Sequence, residues 1–370
     1  MKYDYIIVGS GLFGCTFANL AIKNNQKCLI IEKRNHPFGN CYTHHLHSIE
    51  IHQYGPHIFH TNNENIWNYV NEFDTFNTFT YKPKVIYQKE IFSFPINLMT
   101  FYQLWGIRTP TEAMAKIEQV KMDIKNPQNL EEYALSTIGR ELYDIFIYGY
   151  TKKQWNIEPK QLPAFIFKRL PIRFTFDENY FLDKYQGIPE NGYSYMMQNM
   201  IENTKIILDT NYFDNKDYWN SLAKKVIYTG PIDEYFDYCY GSLEYRSLKF
   251  EHEILEQQDY QGNAVMNYTD ISVEQTRIIE HKHFAPLSLL KNDKTIITKE
   301  YPCSFQNNNI PYYPINNSLN NNTYNQYKKL ALKQNKTIFG GRLAEYRYYN
   351  MDQIIASSIS KFMKTNNLVY

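Results

Sequence analysis

The sequence has no excess of charge of either sign: over 370 residues its formal net charge is +1. That balance excludes a nucleic-acid or membrane-surface partner as its main business, because such chains carry a basic patch or stripe. It has no apolar run of about 18 residues, the length a membrane-spanning helix needs. Its first residues enter a strand pattern at once, without a basic and then apolar leader. The expectation is a soluble chain in the cytoplasm. Cysteine is sparse, with Cys15, Cys28, Cys41, Cys239 and Cys303 odd in number and without C-x-x-C spacing. This excludes a paired disulfide framework, so the thiols are read as reduced and structural and no metal site is expected. There is no heptad stripe to mark an interface and no second dinucleotide fingerprint to mark a reductant site. Few alanines stand against abundant Asn, Lys, Ile and Tyr, which reads as coding bias.

What is present begins at Tyr3. An apolar strand pattern runs into Gly9-Ser-Gly-Leu-Phe-Gly14, followed by a helical stretch, Cys15 to Lys23, and a second apolar strand, Lys27 to Ile31, ending in Glu32. In this order Gly9 permits the turn, Gly11 lets backbone approach a pyrophosphate, Gly14 packs helix on strand, and Glu32 falls near the ~20-residue spacing of a ribose-binding acid. An ordinary βαβ unit with glycine punctuation is the bland alternative. Past Glu32 come Lys33, Arg34 and His36-Pro-Phe-Gly-Asn40, a second loop of the kind found in large flavoproteins, which favours FAD over NAD. An NAD-dependent dehydrogenase is the runner-up.

Further along, Val226 to Asp233 and Thr337 to Arg342 read as strands that return to the first sheet. The last helix, about Asp352 to Lys364, carries Ile354, Ile355, Ile359, Phe362 and Met363 at helical spacing after Asn350 and Asp352 as caps. Opening beside Gly340-Gly341, it aims its positive end at a flavin and favours the anionic reduced form. Leu104 to Val120 and Leu130 to Tyr148 read as helices, 160–200 and 240–305 as antiparallel strands, and Gln306 to Asn325 as a flexible Asn-rich loop. The fold class expected is α/β (α+β overall). It comprises a discontinuous Rossmann-like FAD-binding domain (1–75, 200–240, 330–370), an inserted helical domain (76–160) and an antiparallel β-sheet domain (161–199, 241–329).

Outside the fingerprint, Tyr54-Gly-Pro-His-Ile-Phe-His-Thr61 places His57 and His60 on a Gly-Pro turn, which could equally be a core turn with satisfied histidines. Tyr150-Thr-Lys-Lys-Gln-Trp155, with Phe146 one turn earlier, offers rings on which a base could stack, against ordinary aromatic packing. Arg169, Arg173 and Arg277 occur among Tyr180, Tyr185 and Tyr313, the last inside the polar loop. Singly, each arginine reads as solvated or ion-paired. Together, guanidinium forks and phenols suit a diphosphate and point to a nucleotide-sugar substrate.

The ordered set GSGLFG (9–14), YGPHIFHT (54–61), YTKKQW (150–155), RLPIRF (169–174), YQGIP (185–189), TRIIEHKHF (276–284) and GRLAEYRYYNMD (341–352) resembles the bacterial UDP-galactopyranose mutases across essentially the whole chain. The resemblance implies a homodimeric flavoprotein whose FAD is active when reduced by NAD(P)H or another donor. It further implies interconversion of UDP-galactopyranose and UDP-galactofuranose through a reduced-flavin N5–sugar adduct, supplying cell-surface glycans. By the same resemblance, Arg173, on a mobile loop, and Arg277 clamp the diphosphate, and His57 and His60 flank the isoalloxazine. Phe146 and Tyr150 stack uracil and Trp155 shapes the sugar pocket. Arg169, Tyr180, Tyr185, Tyr313, Tyr348 and Asn350 complete the substrate contacts. Gly9, Gly11, Phe13, Gly14, Glu32, Lys33, Asn40, Gly341, Arg342, Met351 and Asp352 hold the cofactor. The chain departs from the family pattern at Asn350, where Asp is common, at Glu274-Gln275 before Thr276, and at Asn156 after Trp155. These departures open the sugar preference to a 2-acetamido or other UDP-hexose. An FAD-dependent oxidoreductase of the same fold, or a non-catalytic FAD- or sugar-binding protein, are the rival classes.

Overall fold

The computed structural model describes residues 1–285, 293–306 and 309–368. Its organising element is the strand Tyr3–Val8, flanked in parallel by Cys28–Ile31 and Ala223–Tyr228, with Lys205–Ile207 and Thr337–Phe339 at the edges. Ile6, Ile7, Ile30 and Ile227 are fully buried, as a parallel sheet covered on both faces requires. Segments far apart in sequence thus share one Rossmann-like sheet, as the alternation of apolar runs and glycine turns anticipates. The helix Leu12–Lys23 covers one face and is clasped by the C-terminal helix Met351–Thr365. There Phe362 meets Phe17 edge-on at 5.2 Å and the Ser358 hydroxyl donates to the Phe13 carbonyl at 2.9 Å.

A second, seven-stranded sheet runs in the order Tyr313–Pro314, Tyr245–Leu255, Thr295–Ser304, Arg277–Glu280, Val265–Tyr268, Lys84–Tyr87, Glu90–Ser93. It is antiparallel except where Val265–Tyr268 pairs in parallel with Lys84–Tyr87. The hairpin 84–93, expected within the helical section, is therefore part of this sheet. It draws the helices Leu98–Trp105, Pro110–Val120 and Leu130–Tyr143 against it. Residue 143 leads into a π-helical turn, Asp144–Tyr148, and then the helix Gly149–Trp155.

Three expectations are corrected. The single helix expected from Leu104 to Val120 is two, because Gly106 closes the first in a left-handed conformation (φ 69°) and Thr109-Pro110 opens the next with a capping box and a proline at the first turn. Residues 160–200 are not a sheet: Pro163, Pro171 and Pro189 remove ladder donors, and the segment forms 3₁₀ turns and the helix Tyr193–Met200. Its one strand, Tyr185–Gly187, pairs with Phe59–Thr61. The Asn-rich stretch runs into the helix Ser318–Ala331, started by the Asn317 side chain, because burying Tyr327 and bonding its hydroxyl to the Gly241 carbonyl at 2.7 Å overrides the polar composition.

The helix Gly149–Trp155 lies very close to the loop after Val265–Tyr268. A Cβ on Gly149 would stand 2.1 Å from the Thr269 carbonyl oxygen. Gly149→Ala should therefore push helix from loop and lower stability by about 1–3 kcal/mol. Urea titration checks this, and an unshifted midpoint would show that the close approach is dispensable.

Candidate active site

The glycine turn builds a cradle. Gly9 has φ +100°, and a Cβ there would meet Thr229 Oγ1 at 2.1 Å, while one on Gly14 would meet the Gly9 carbonyl at 2.2 Å. A Cβ on Gly11 would meet nothing within 4 Å, because it faces an open cavity at the N-terminus of Leu12–Lys23. Glu32 is buried. One of its oxygens accepts from the Ser10 amide (2.9 Å) and hydroxyl (2.7 Å), the other from the Arg34 amide (3.0 Å). From Gly9, Gly11, Phe13, Glu32 and Lys33 the cavity, about 1200 Å³, continues past Asn40 to Gly341, Arg342 and Met351. Two cationic donors buried along it, Arg34 Nη1 and Arg342 Nε, have no hydrogen-bond partner. Open space over Gly11 and unpaired guanidinium N–H groups fit an anionic dinucleotide. Gly14 packs beneath the cradle, and Asp352 turns its carboxylate to the Thr61 hydroxyl (3.1 Å) rather than to the cavity.

A second cavity, about 690 Å³, shares Asn40, His57, Trp155, Arg342 and Met351 with the first. Phe146 and Tyr150 reach it from the π-turn and the helix that follows, together with Tyr180, Tyr313, Tyr348 and Asn350. Phe146 is packed against Phe94 (6.1 Å, near-parallel) and Phe92 (5.7 Å, edge-on) as well as lining the cavity. Arg277 opens its strand directly across from Glu300. The pair is bidentate, with Nε donating to Oε1 at 3.0 Å and Nη2 to Oε2 at 2.8 Å, and Glu300 is wholly buried. Burial works against the Arg277 charge, but Glu300 and the phenols of Tyr150, Tyr313 and Tyr81 outweigh it and hold the guanidinium well above its usual range. Burial in turn keeps Tyr81, Tyr150 and Tyr313 protonated, so they are neutral donors. Arg342 lies over Tyr348 at 5.1 Å and Tyr313 at 6.0 Å, and donates to the Tyr349 carbonyl at 2.9 Å.

His57 Nδ1 donates to the Gly55 carbonyl at 2.8 Å, which leaves Nε2 as an acceptor. Burial, with Arg342 and Arg277 nearby, pushes its pKa down to about 4. Behind it, the His57 amide donates to His52 Nδ1 (3.1 Å) and the His52 amide to His281 Nδ1 (3.3 Å); His281 Nε2 and His252 Nδ1 both bond the Thr298 hydroxyl, at 2.6 and 2.7 Å. Burial takes His52 down to about 3 and lowers His281 and His252. His60, also on the second cavity, bonds Asp183 at 2.6 Å and stacks on Phe181 at 3.7 Å.

Not every predicted residue joins this set. Arg173 stands off both cavities: its Nη1 donates to the carbonyls of Asn179 and, at 3.3 Å, Asp177, and its Nη2 is buried without a partner. The Tyr185 ring stacks on Trp67 at 5.2 Å, away from both cavities. The Arg169 side chain lies outside the described residues. Sequence reasoning missed Glu300, Tyr81 and Tyr54 as cavity residues. No local signal marks Glu300, which sits in Thr-Lys-Glu-Tyr like an exposed strand acid; only its pairing with Arg277, 23 residues earlier, ties it to the cavity. Among the described residues one group could hold a metal, Asp259, Glu280 and His283. Glu280 already accepts from the Tyr260 and Gln261 amides and the Thr295 hydroxyl, so the trio reads as an ion-pair network outside both cavities.

Comparison with known proteins gives one consistent pattern. The family model for UDP-galactopyranose mutase matches residues 145–348, and that for an NAD(P)-binding Rossmann-like domain matches 7–73. The chain is 41% identical over 363 residues to a dTDP-fucopyranose mutase of Escherichia coli, covering 96% of each. It is 41% identical over 364 residues to a protein of Klebsiella pneumoniae named "Probable UDP-galactopyranose mutase" (96% and 93%), and 32% identical over 383 residues to the UDP-galactopyranose mutase of Mycoplasma genitalium (97% and 94%). Its fold is similar to the crystal structure of a reduced UDP-galactopyranose mutase, with TM-score 0.75 at 12% identity over 99% and 96% of the two chains, and to a putrescine oxidase, with TM-score 0.58 at 12% identity over 99% of each.

Two outcomes follow from the geometry. Glu300→Gln leaves the Arg277 charge without its buried partner, at a cost of about 3–5 kcal/mol. Because a nucleoside diphosphate can supply the missing charge, adding UDP should raise the melting temperature of this variant more than that of the parent protein; an equal rise would detach Glu300 from the site. The second concerns pH. His57 and His52 are neutral when folded down to about 4 and about 3 but charge near 6.5 when unfolded. The unfolded chain therefore binds more protons, and stability is full above pH 6.5 and falls as pH drops toward 4, by on the order of a few kcal/mol. Chemical denaturation across pH 4–7 checks the slope, which His52→Gln should flatten.

Proposed function

The chain belongs to the UDP-galactopyranose mutase family, and on that premise we propose that it interconverts the pyranose and furanose forms of a nucleotide-linked hexose, UDP-galactose first, with FAD bound and reduced. The observation that carries this reading is the junction of the two cavities at His57, Arg342 and Met351: a dinucleotide-sized space on one side, and on the other a space walled by Arg277 and the protonated phenols of Tyr81, Tyr150 and Tyr313. When bound and reduced, the flavin supplies a nucleophile for the anomeric carbon, and the isomerisation has no net redox change.

The chain's residues do the rest. Phe146 and Tyr150 stack the base. Arg277, Tyr313 and Tyr348 hold the diphosphate as the bond to the sugar breaks, and donors aimed at that developing charge lower the barrier. Neutral His57 presents an acceptor nitrogen without adding a positive charge beside the reacting centre. Arg173, with one buried N–H unpaired, completes the clamp when its segment closes over the substrate and excludes water. On this reading the protein works in the cytoplasm as a homodimer, takes electrons from NAD(P)H or another donor and supplies a precursor for cell-surface glycans. No described helix is long and apolar enough to cross a membrane.

A second substrate, a dTDP-fucopyranose, is favoured by the 41% identity to the Escherichia coli protein of that name. Asn350, where the family commonly has Asp near the diphosphate, gives a second reason to test it. The protein, reduced with dithionite, should convert UDP-galactopyranose to its furanose isomer as read by chromatography, and should do nothing when oxidised. Conversion of dTDP-fucopyranose alone would install the second substrate, and stoichiometric flavin oxidation without isomer would install an oxidoreductase. Arg277→Ala should retain flavin and lose about 10²–10³ in kcat/KM.

A further inference from the structure

The helix that carries Tyr150 and Trp155 is fixed to the seven-stranded sheet by two cations that, among the described residues, form no ion pair. Arg246, 4% exposed, donates through Nε to the Gln154 carbonyl at 2.9 Å and through Nη1 to the Ser304 hydroxyl at 3.3 Å. Lys153 is the less ordinary of the two. Its Nζ lies 2.8 Å from the Tyr268 carbonyl, 2.9 Å from Asp270, 2.8 Å from Val273 and 2.9 Å from Gln275.

All four acceptors come from one connection, 268–275, between the strands Val265–Tyr268 and Arg277–Glu280. An ammonium has three N–H groups, so four carbonyls around it form a cage for a charge rather than a set of matched hydrogen bonds. Without a cation those inward-turned oxygens would repel one another in a partly buried space. The cage also has a position. It begins one residue before Thr269, against which Gly149 is packed, and ends two residues before Arg277. Just beyond it, the Thr276 amide donates to the Glu300 carbonyl at 2.9 Å and the Thr276 hydroxyl to Glu300 Oε1 at 3.3 Å. The side chain of Lys153 therefore links the helix bearing Tyr150 and Trp155 to the connection that leads into the strand bearing Arg277.

We propose that Lys153 is a positioning residue of the substrate site: its ammonium, caged by the loop 268–275, holds Arg277 in register with Tyr150 and Trp155 and thereby sets the affinity for a nucleoside diphosphate. The inference rests on the reading that Arg277 and Tyr150 bind such a ligand.

The test is UDP binding to the FAD-loaded protein by titration calorimetry, for the parent, Lys153→Met, Arg277→Ala and the double variant, with flavin content and spectrum followed in each. Lys153→Met should weaken UDP at least tenfold with flavin retained. Because it acts through Arg277, it should weaken the Arg277→Ala protein no more than twofold further. Binding by Lys153→Met within twofold of the parent, or penalties that simply multiply, overturns the proposal. If Arg277→Ala itself binds UDP like the parent, the functional reading fails first and the positioning role with it. Lys153→Ala decides independently, also where the methionine variant does not fold: four carbonyls at this spacing suit potassium, so UDP affinity should recover in potassium chloride and not in choline chloride. Equal affinity in the two salts overturns the cage.

Discussion

The ion pair between Arg277 and Glu300 is the constraint on which the arrangement turns. The two residues are direct neighbours across antiparallel strands, and Glu300 has no exposed surface. A carboxylate so placed is tolerable only if its partner is present with good geometry. A slip of one residue in strand register would turn Arg277 and Glu300 away from each other's face and leave the buried Glu300 carboxylate unpaired. The pair therefore pins the register of Arg277–Glu280 against Thr295–Ser304. On its other side the first of these strands pairs with Val265–Tyr268, whose parallel neighbour Lys84–Tyr87 leads into the helices. Fixing one ion pair fixes where the helices stand, and so where Phe146, Tyr150 and Trp155 enter the cavity that Arg277 lines.

What could be read in the sequence divides along the same physical line. The glycine turn was legible because its requirements are local: Gly9 needs a positive φ, Gly14 has no room for a Cβ, and Glu32 follows at a spacing set by one strand, one helix and another strand. The C-terminal helix was legible from its apolar spacing and its caps. The segment 160–200 misled because alternation of apolar and polar residues survives in a proline-interrupted chain that cannot form a ladder. Tyr327 shows the opposite failure, in which one buried ring and one hydroxyl bond stabilise a helix in asparagine-rich sequence. Glu300 was invisible because its role is made by a strand partner, and Tyr185 was placed by motif order while Trp67 holds its ring elsewhere.

The distribution of charge carries the argument one step further. The chain as a whole is close to neutral, and so is the lining of the larger cavity, where Lys33, Arg34, Arg246 and Arg342 face Glu32, Asp233, Glu234 and Glu244, whereas the smaller one has Arg277 and Arg342 against the single carboxylate of Glu300. Arg34, Arg342 and Arg173 each keep a buried N–H without a partner, and Lys153 and Arg246 are held by carbonyls and a hydroxyl instead of carboxylates. Glu32 is turned inward onto Ser10 and the Arg34 amide, and Glu300 is spent on Arg277. Uncompensated buried cations lower stability unless something neutralises them. Arg34 and Arg342 border spaces of a size to admit phosphorylated ligands, and such a ligand would supply the opposing charge, whereas Arg173 and Lys153 stand off both cavities. A site of this kind gives up stability in the empty protein for affinity in the filled one. The tyrosines suit the same purpose: phenols kept protonated by burial can donate to phosphate oxygens without adding positive charge beside Arg277 and Arg342.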